Sequence, residues 1–194
     1  GDLSITGVTT LVAGGNDITL NRAGNNFQAA VIITSGRNVT LVDAGAIDLG
    51  ASTVTGTYAV TATAGGDITD SGILAITGAA TFTAANGQSI YLDGANTFSN
   101  TVTFNSAGTL ANVTISDSND FDLAALTLSG NLIATSTGGS ITDSGALRIS
   151  GTSWFLTITS NKDIALDTTT NVFTGAVTLN TKGSTGHAEV DGGT

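Results

Sequence analysis

The sequence has 194 residues with no Cys, Pro or Met, a single Trp and 26 Gly, and its 15 acidic against 5 basic residues give a net charge of -10. The missing Cys excludes a disulfide framework, a thiolate nucleophile and Cys-based metal centres, while the single His, His187, excludes a multi-histidine metal site. The acidic balance argues against nucleic acid as a partner, and no run of 18 apolar residues is present that could insert into a membrane as a helix.

In chain order, the predicted elements are short strands, each introduced by a small polar residue before Ile or Val. These introducing residues are Asp17, Asn38, Asp67, Ser89, Asn112, Ser140 and Asp163. The runs that follow, such as Ile18-x-Leu20 and Ile164-x-Leu166, alternate with a period of two, which predicts strands and not helices. Successive introducing residues lie 21, 29, 22, 23, 28 and 23 positions apart. We therefore predict one coil for each of these steps, with coil starts near 17, 38, 67, 89, 112, 140 and 163.

A longer repeat of about 73 residues, the long repeat, runs through the whole chain. The segment GGDITDSGILAITG at 65–78 recurs as GGSITDSGALRISG at 138–151, and an Asn-x-Phe motif recurs at Phe27, Phe98 and Phe173. Neither end carries an atypical capping repeat. We expect residues 1–194 to form a single segment cut from a longer array, with three coils per long repeat.

The predicted fold is all-β, a right-handed parallel β-helix (β-solenoid) of about seven to eight coils. Parallel crossover connections are nearly always right-handed, which is the basis for the expected hand. Proline would break the ladder because it lacks an N–H, and glycine supplies tight corners. The seven introducing residues are predicted to form one structural column that hydrogen-bonds to turns and stacks between coils.

Several phrases, among them GNDITLNRAGNNFQAAV, DGANTFSNTVTFNSAG and NVTLVDAGAIDLG, resemble the repeats of filamentous-haemagglutinin-like surface adhesins of Gram-negative bacteria. The resemblance covers essentially the whole chain. It implies a β-helical rod that is secreted by a two-partner or related route and acts in attachment, aggregation or biofilm matrix. The secretion domain of that family has no counterpart in this sequence.

Candidate sites are few. Asp117, Asp120 and Asp122 form the densest acidic group and are the candidate for calcium, but Asp43 and Asp48 occupy equivalent places in the earlier copy, which favours a turn role. We therefore expect no metal site and no cofactor. Trp154 is predicted to point outward if Phe155 points inward, and it is a candidate surface contact. Paired Thr residues such as Thr81 and Thr83 suggest an ice-binding face, although the later copy carries Trp154 and Leu156 at that place.

The expected function is that of a structural rod segment in an extracellular adhesin or surface filament, without enzymatic activity. One alternative is a module that binds a glycan or partner laterally on the same scaffold, and a polysaccharide lyase or hydrolase and an ice-binding protein are further alternatives. The expected partners are flanking coils of the same parent chain or end-to-end or lateral copies. Glycans and host or bacterial surfaces are candidate partners beside these, and neither nucleic acid nor membrane insertion is expected.

Overall fold

A computed structural model describes residues 1–192 and contains only strands, turns and loops over that range. Because no helix is present there, no helical membrane span occurs in the described residues. The strands are β1 (Ser4–Ile5), β2 (Thr9–Val12), β3 (Ile18–Leu20), β4 (Asn26–Phe27), β5 (Val31–Gly36), β6 (Val39–Asp43), β7 (Ile47–Val54), β8 (Tyr58–Ala62), β9 (Ile68–Asp70), β10 (Leu74–Ile76), β11 (Ala80–Ala84), β12 (Ile90–Phe98), β13 (Val102–Ser106), β14 (Val113–Asp117), β15 (Phe121–Leu123), β16 (Leu126–Leu128), β17 (Leu132–Ser136), β18 (Ile141–Asp143), β19 (Leu147–Ile149), β20 (Ser153–Ser160), β21 (Ile164–Leu166), β22 (Val172–Phe173), β23 (Val177–Lys182) and β24 (Ala188–Val190).

The strands pair in parallel, each with a strand one turn away along the chain. Among the shortest steps between register partners is that from Val31 to Leu49, and among the longest is that from Ser153 to Val177. The principal stack runs β2-β5-β7-β10-β12-β14-β17-β20-β23, and a second runs β3-β6-β8-β11-β13-β15-β18-β21-β24. The fold is a parallel β-solenoid of about eight turns, which confirms the predicted fold class.

One turn of the solenoid has three sides, which are seen most clearly in the turn formed by β9, β10 and β11. Side one continues from β9 through β12 to β14, β17, β20 and β23. Side two contains β10, which pairs with the second half of β7 and of β12. Side three contains β3, β6, β8, β11 and β13.

Each copy of the long repeat is rotated around the solenoid relative to the copy before it. The first ITDSG segment forms β9, which pairs with β12 in the principal stack, and the second forms β18 in the second stack. The Asn-x-Phe motif likewise lies in β4, which pairs with β1, then in β12 of the principal stack, and then in β22, which pairs with β19. Three turns carry Ile68 in register to Ile90, Val113 and Leu132, which is nine residues before Ile141, so one repeat is not a whole number of turns.

This rotation corrects the predicted coil lengths. The two long steps, from Asn38 to Asp67 and from Asn112 to Ser140, are not single coils. The side chain of Asn38 meets the backbone of Thr57 on the next turn, and that of Asn112 meets Asn131, in both cases 19 residues later. The remainder of each long step crosses one further side of the solenoid.

The interior is one continuous apolar core. Inward residues alternate with outward ones on most strands, and they stack on their register partners one turn away. The aromatic rings of Tyr58, Phe82 and Phe98 meet edge to face, with centroids 5.9 and 6.1 Å apart. Such contacts add to the stabilisation that burial of the rings already provides.

Several corners between sides are too tight for any side chain. Gly78 donates its N–H to the carbonyl of Gly56 one turn earlier, and Gly151 donates in the same way to Gly130. A Cβ atom on Gly78 would lie 2.4 Å from the Gly56 carbonyl oxygen. Glycine is needed at these corners because neighbouring turns of backbone are in direct contact.

Candidate functional surfaces

The seven introducing residues form three hydrogen-bonded ladders and not one column. On side three, Asp17 Oδ1 accepts the N–H of Asn38 at 3.1 Å, and Asn38 Oδ1 accepts the N–H of Thr57 at 3.0 Å. The ladder at the start of side one runs through Asp67, Ser89 and Asn112 and continues to Asn131 and Thr152. The third ladder precedes β15, β18, β21 and β24 of the second stack, and it runs from Asp120 through Ser140 and Asp163 to the N–H of His187.

The division into three ladders follows from the rotation of the repeat. Residues at the same place in successive copies lie at different positions around the turn, so they do not stack directly on one another. Two ladder members, Asn131 and Asp120, were not identified as such from the sequence, because neither directly precedes Ile or Val. A step of 19 residues from Asn112, or of 20 residues back from Ser140, would have found them.

A second set of polar residues lies buried at the corner where the Asn-x-Phe motif begins. Asn96 Oδ1 accepts the N–H of Leu74 at 2.8 Å, and its Nδ2 donates to Asp70 Oδ2 at 2.7 Å and to the carbonyl of Leu92. Asn171 repeats these contacts with Leu147, Asp143 and Leu166. Asn25 accepts from Leu3 and donates to Leu20 in the first copy. In every copy this asparagine joins two neighbouring turns.

The acidic group proposed for calcium is dispersed among structural contacts. Asp117 is buried and accepts the backbone N–H groups of Phe98 and Asn119. Asp120 belongs to a ladder and lies 3.8 Å from the Lys162 ammonium, and Asp122 accepts hydroxyl hydrogen bonds from Thr142 and Ser144. Within the described residues, no three His, Cys, Asp or Glu side chains are grouped so that they could hold a metal ion.

Burial and hydrogen bonding shift the pKa values of the carboxyl groups in opposite directions. Burial raises the pKa of Asp70 and of Asp117 above the ordinary value. The Oδ2 atom of Asp117 is buried and has no hydrogen-bond partner among the described residues. By contrast, the hydrogen bond from Arg37 and the N–H of Asn38 lower the pKa of the exposed Asp17 to about 2.

Trp154 projects outward from β20 with 46% of its surface exposed, while Phe155 is fully buried. Its register partners on the neighbouring turns are Ile133 and Thr178. Ile133 is also exposed, at 42%, so the two large apolar side chains lie next to each other on the outer face of side one. The places equivalent to Trp154 in the other copies hold Thr10 on β2 and Thr81 on β11.

The same rotation separates the paired threonines. Thr81 and Thr83 lie on side three beside Ala59, Thr61, Thr103 and Asn105, whereas their counterparts Trp154 and Leu156 lie on side one. An ice-binding face would need the pair on every turn of one side. The stacking found here does not supply that array.

A family model described as "Repeats of unknown function (DUF5649)" matches residues 1–34, 36–105 and 110–180. The chain belongs to this family of repeats. The second and third matched segments begin at residues 36 and 110, an offset close to that of the long repeat seen in the sequence and the fold. Comparisons with curated proteins and with solved structures gave no match.

Proposed function

We propose that this chain is a structural rod segment of an extracellular bacterial adhesin or surface filament, with a role in attachment, aggregation or biofilm matrix. Its part is to extend the molecule and to present other regions, and we assign it no catalytic step. The motif resemblance to filamentous-haemagglutinin-like repeats supports the setting at the cell surface.

The observation that carries the proposal is the uninterrupted parallel ladder along the solenoid. Backbone hydrogen bonds connect successive turns throughout, for example from Ile18 to Asn38 near one end and from Ile164 to His187 near the other. Eight turns at a strand spacing of about 4.8 Å give a rod section roughly 38 Å long. Cooperative pairing on both edges of each interior strand suits a stiff spacer that resists proteases.

The two ends of the rod support the proposed partners. Within the described residues, β3 and β24 each pair with a strand on one edge only, which leaves the backbone groups of the other edge open. Val190 on β24 is 42% exposed at the end of the core. Open strand edges pair readily with further strands, so flanking coils or end-to-end copies of this chain would cover them.

The cellular setting is tested by labelling intact cells of the source organism with an antibody raised against the purified segment. We expect labelling without permeabilisation and its loss after brief proteolysis of the cell surface with a protease that digests the segment in vitro. An antibody against a cytoplasmic protein serves as the control. Labelling that needs permeabilised cells would contradict the extracellular role.

A further inference from the structure

The outer face of side one carries a stripe that the repeat itself does not require. The outward side chains at matching register positions on six successive turns are Thr69, Tyr91, Thr114, Ile133, Trp154 and Thr178. Tyr91 and Trp154 are three turns apart, which is about 14 Å along the rod axis. The stripe is therefore elongated parallel to the rod, with an aromatic ring at two of its positions.

The other copies serve as an internal comparison for this stripe. Thr10 and Thr81 occupy the place of Trp154 in the earlier copies, where the equivalent strand forms with a small hydroxyl side chain at this position. Packing of the solenoid therefore does not call for an indole at this position. An exposed aromatic side chain that the scaffold does not need is typical of a contact surface.

The stripe also differs in charge from the chain as a whole. Its central strands carry these uncharged outward side chains: Thr114 and Ser116 on β14, Ile133 and Thr135 on β17, Trp154 and Leu156 on β20, and Thr178 and Asn180 on β23. The chain has a net charge of -10. An acidic molecule repels both an anionic ligand and a second copy of itself, and these positions offer no cation to offset that repulsion.

We infer that the stripe from Tyr91 to Thr178 binds a neutral, linear carbohydrate chain that lies along the rod axis. The apolar face of one sugar ring stacks on Trp154 and contacts Ile133, and the Tyr91 ring meets the chain three turns away. Hydroxyl and amide groups of Thr135, Thr178 and Asn180 flank the indole and pair with sugar hydroxyls. This binding goes beyond the role of a spacer, and its failure would leave the proposed rod function unaffected.

The experiment uses the single tryptophan as its own probe. The purified chain is titrated with neutral glucans and galactans of increasing length, and with sulfated and carboxylated polysaccharides, while intrinsic fluorescence is followed. We expect a saturable shift of the Trp154 emission with at least one neutral glycan, a tighter fit for chains long enough to reach Tyr91, and little dependence on salt. Binding measured by calorimetry falls about tenfold or more in Trp154→Thr, which restores the residue type found at Thr81.

Matched controls separate this surface from general stickiness. Ile73→Thr removes another exposed apolar side chain that lies outside the stripe, and its affinity remains that of the unaltered chain. Circular dichroism confirms that both variants stay folded. Three results would overturn the inference: no emission shift with any neutral glycan, full binding by Trp154→Thr, or an emission shift that depends on protein concentration alone and so reports a second copy on the stripe.

Discussion

The tight corners of the solenoid give the sharpest test of its stacking, and Gly66 is the best position for it. A Cβ atom on Gly66 would lie 2.0 Å from the backbone nitrogen of Ala46 and 2.3 Å from its Cα atom. Both atoms belong to the backbone of the preceding turn, so no side chain can move aside. Gly66→Ala must therefore push two turns apart or distort the corner.

The expected magnitude follows from the kind of clash. Overpacking of a well-packed site costs about 1–3 kcal/mol, and contact with backbone places Gly66→Ala at the upper end of that range. For a chain of this size, each 1 kcal/mol lowers the melting temperature by roughly 2–4 °C. A destabilisation of about 3 kcal/mol therefore predicts that the melting temperature, followed by circular dichroism, falls by about 6–12 °C.

Gly15 provides the matched control. A Cβ atom on Gly15 would have nothing within 4 Å, and its φ is outside the left-handed region. Gly15→Ala should leave the melting temperature unchanged or raise it slightly, because alanine lowers the entropy of the unfolded chain. An unchanged melting temperature in Gly66→Ala, or an equal loss in Gly15→Ala, would refute the close stacking of turns.

Three further predictions concern polar groups. Asn96→Ala should lower the free energy of unfolding in urea by about 1–3 kcal/mol, because it leaves its buried partners without a hydrogen bond. Asn26→Ala, at an exposed position, should change the free energy of unfolding little. Equal losses would contradict the role of Asn96 in joining turns. The raised pKa of Asp117 means that its protonated carboxyl favours the folded state, so the protein loses stability as pH rises above the ordinary Asp range. This pH-dependent loss should be absent in Asp117→Asn, as measured by urea unfolding at several pH values. An identical pH dependence in the variant would be evidence against it. The lowered pKa of Asp17 has the opposite effect: its contribution to stability is present above about pH 4 and is lost as pH falls through about 2. Arg37→Ala should make this loss of stability at acid pH smaller. An unchanged profile of stability against pH would count against the Asp17–Arg37 pair.

The fold class followed from local signals that do not depend on distant contacts. Alternation in runs such as Ile164-x-Leu166, the missing proline and the recurring turn residues each report on one strand or one corner. The outward position of Trp154 follows from the same alternation, since Phe155 beside it is buried. These features are set by the period of two along a strand, which the sequence displays directly.

The stacking register was harder to read, because two periods overlap in the sequence. The long repeat is the more visible of the two periods. A whole number of coils in each long repeat was expected, and the step from Asn112 to Ser140 was therefore predicted to be a single coil. The physical period is the shorter turn, which varies in length with the corners and leaves little identity between stacked residues such as Ile133 and Trp154. Stacked positions share size and polarity but not residue type, so the true neighbours carry a weak sequence signal.

The role of the asparagine in the Asn-x-Phe motif could not be predicted from the sequence either. The motif drew attention to its Phe residues, yet Asn96 and Asn171 are the residues that join adjacent turns. Their partners Asp70 and Asp143 lie 26 and 28 residues earlier, at a distance that no local pattern marks. Only the stacked turns bring these side chains into contact.

Spin-label distances test the stacked three-sided solenoid most directly, because the chain has no native Cys to compete with introduced ones. Thr114 and Ile133 are register partners on β14 and β17, whereas Thr142 pairs with Asp122 on another side. Labels at Thr114→Cys and Ile133→Cys should show strong dipolar broadening, since neighbouring strands are about 5 Å apart. Labels at Thr114→Cys and Thr142→Cys should show little. The reverse result, with close labels at 114 and 142, would restore a single coil from Asn112 to Ser140 and contradict a repeat that is not a whole number of turns.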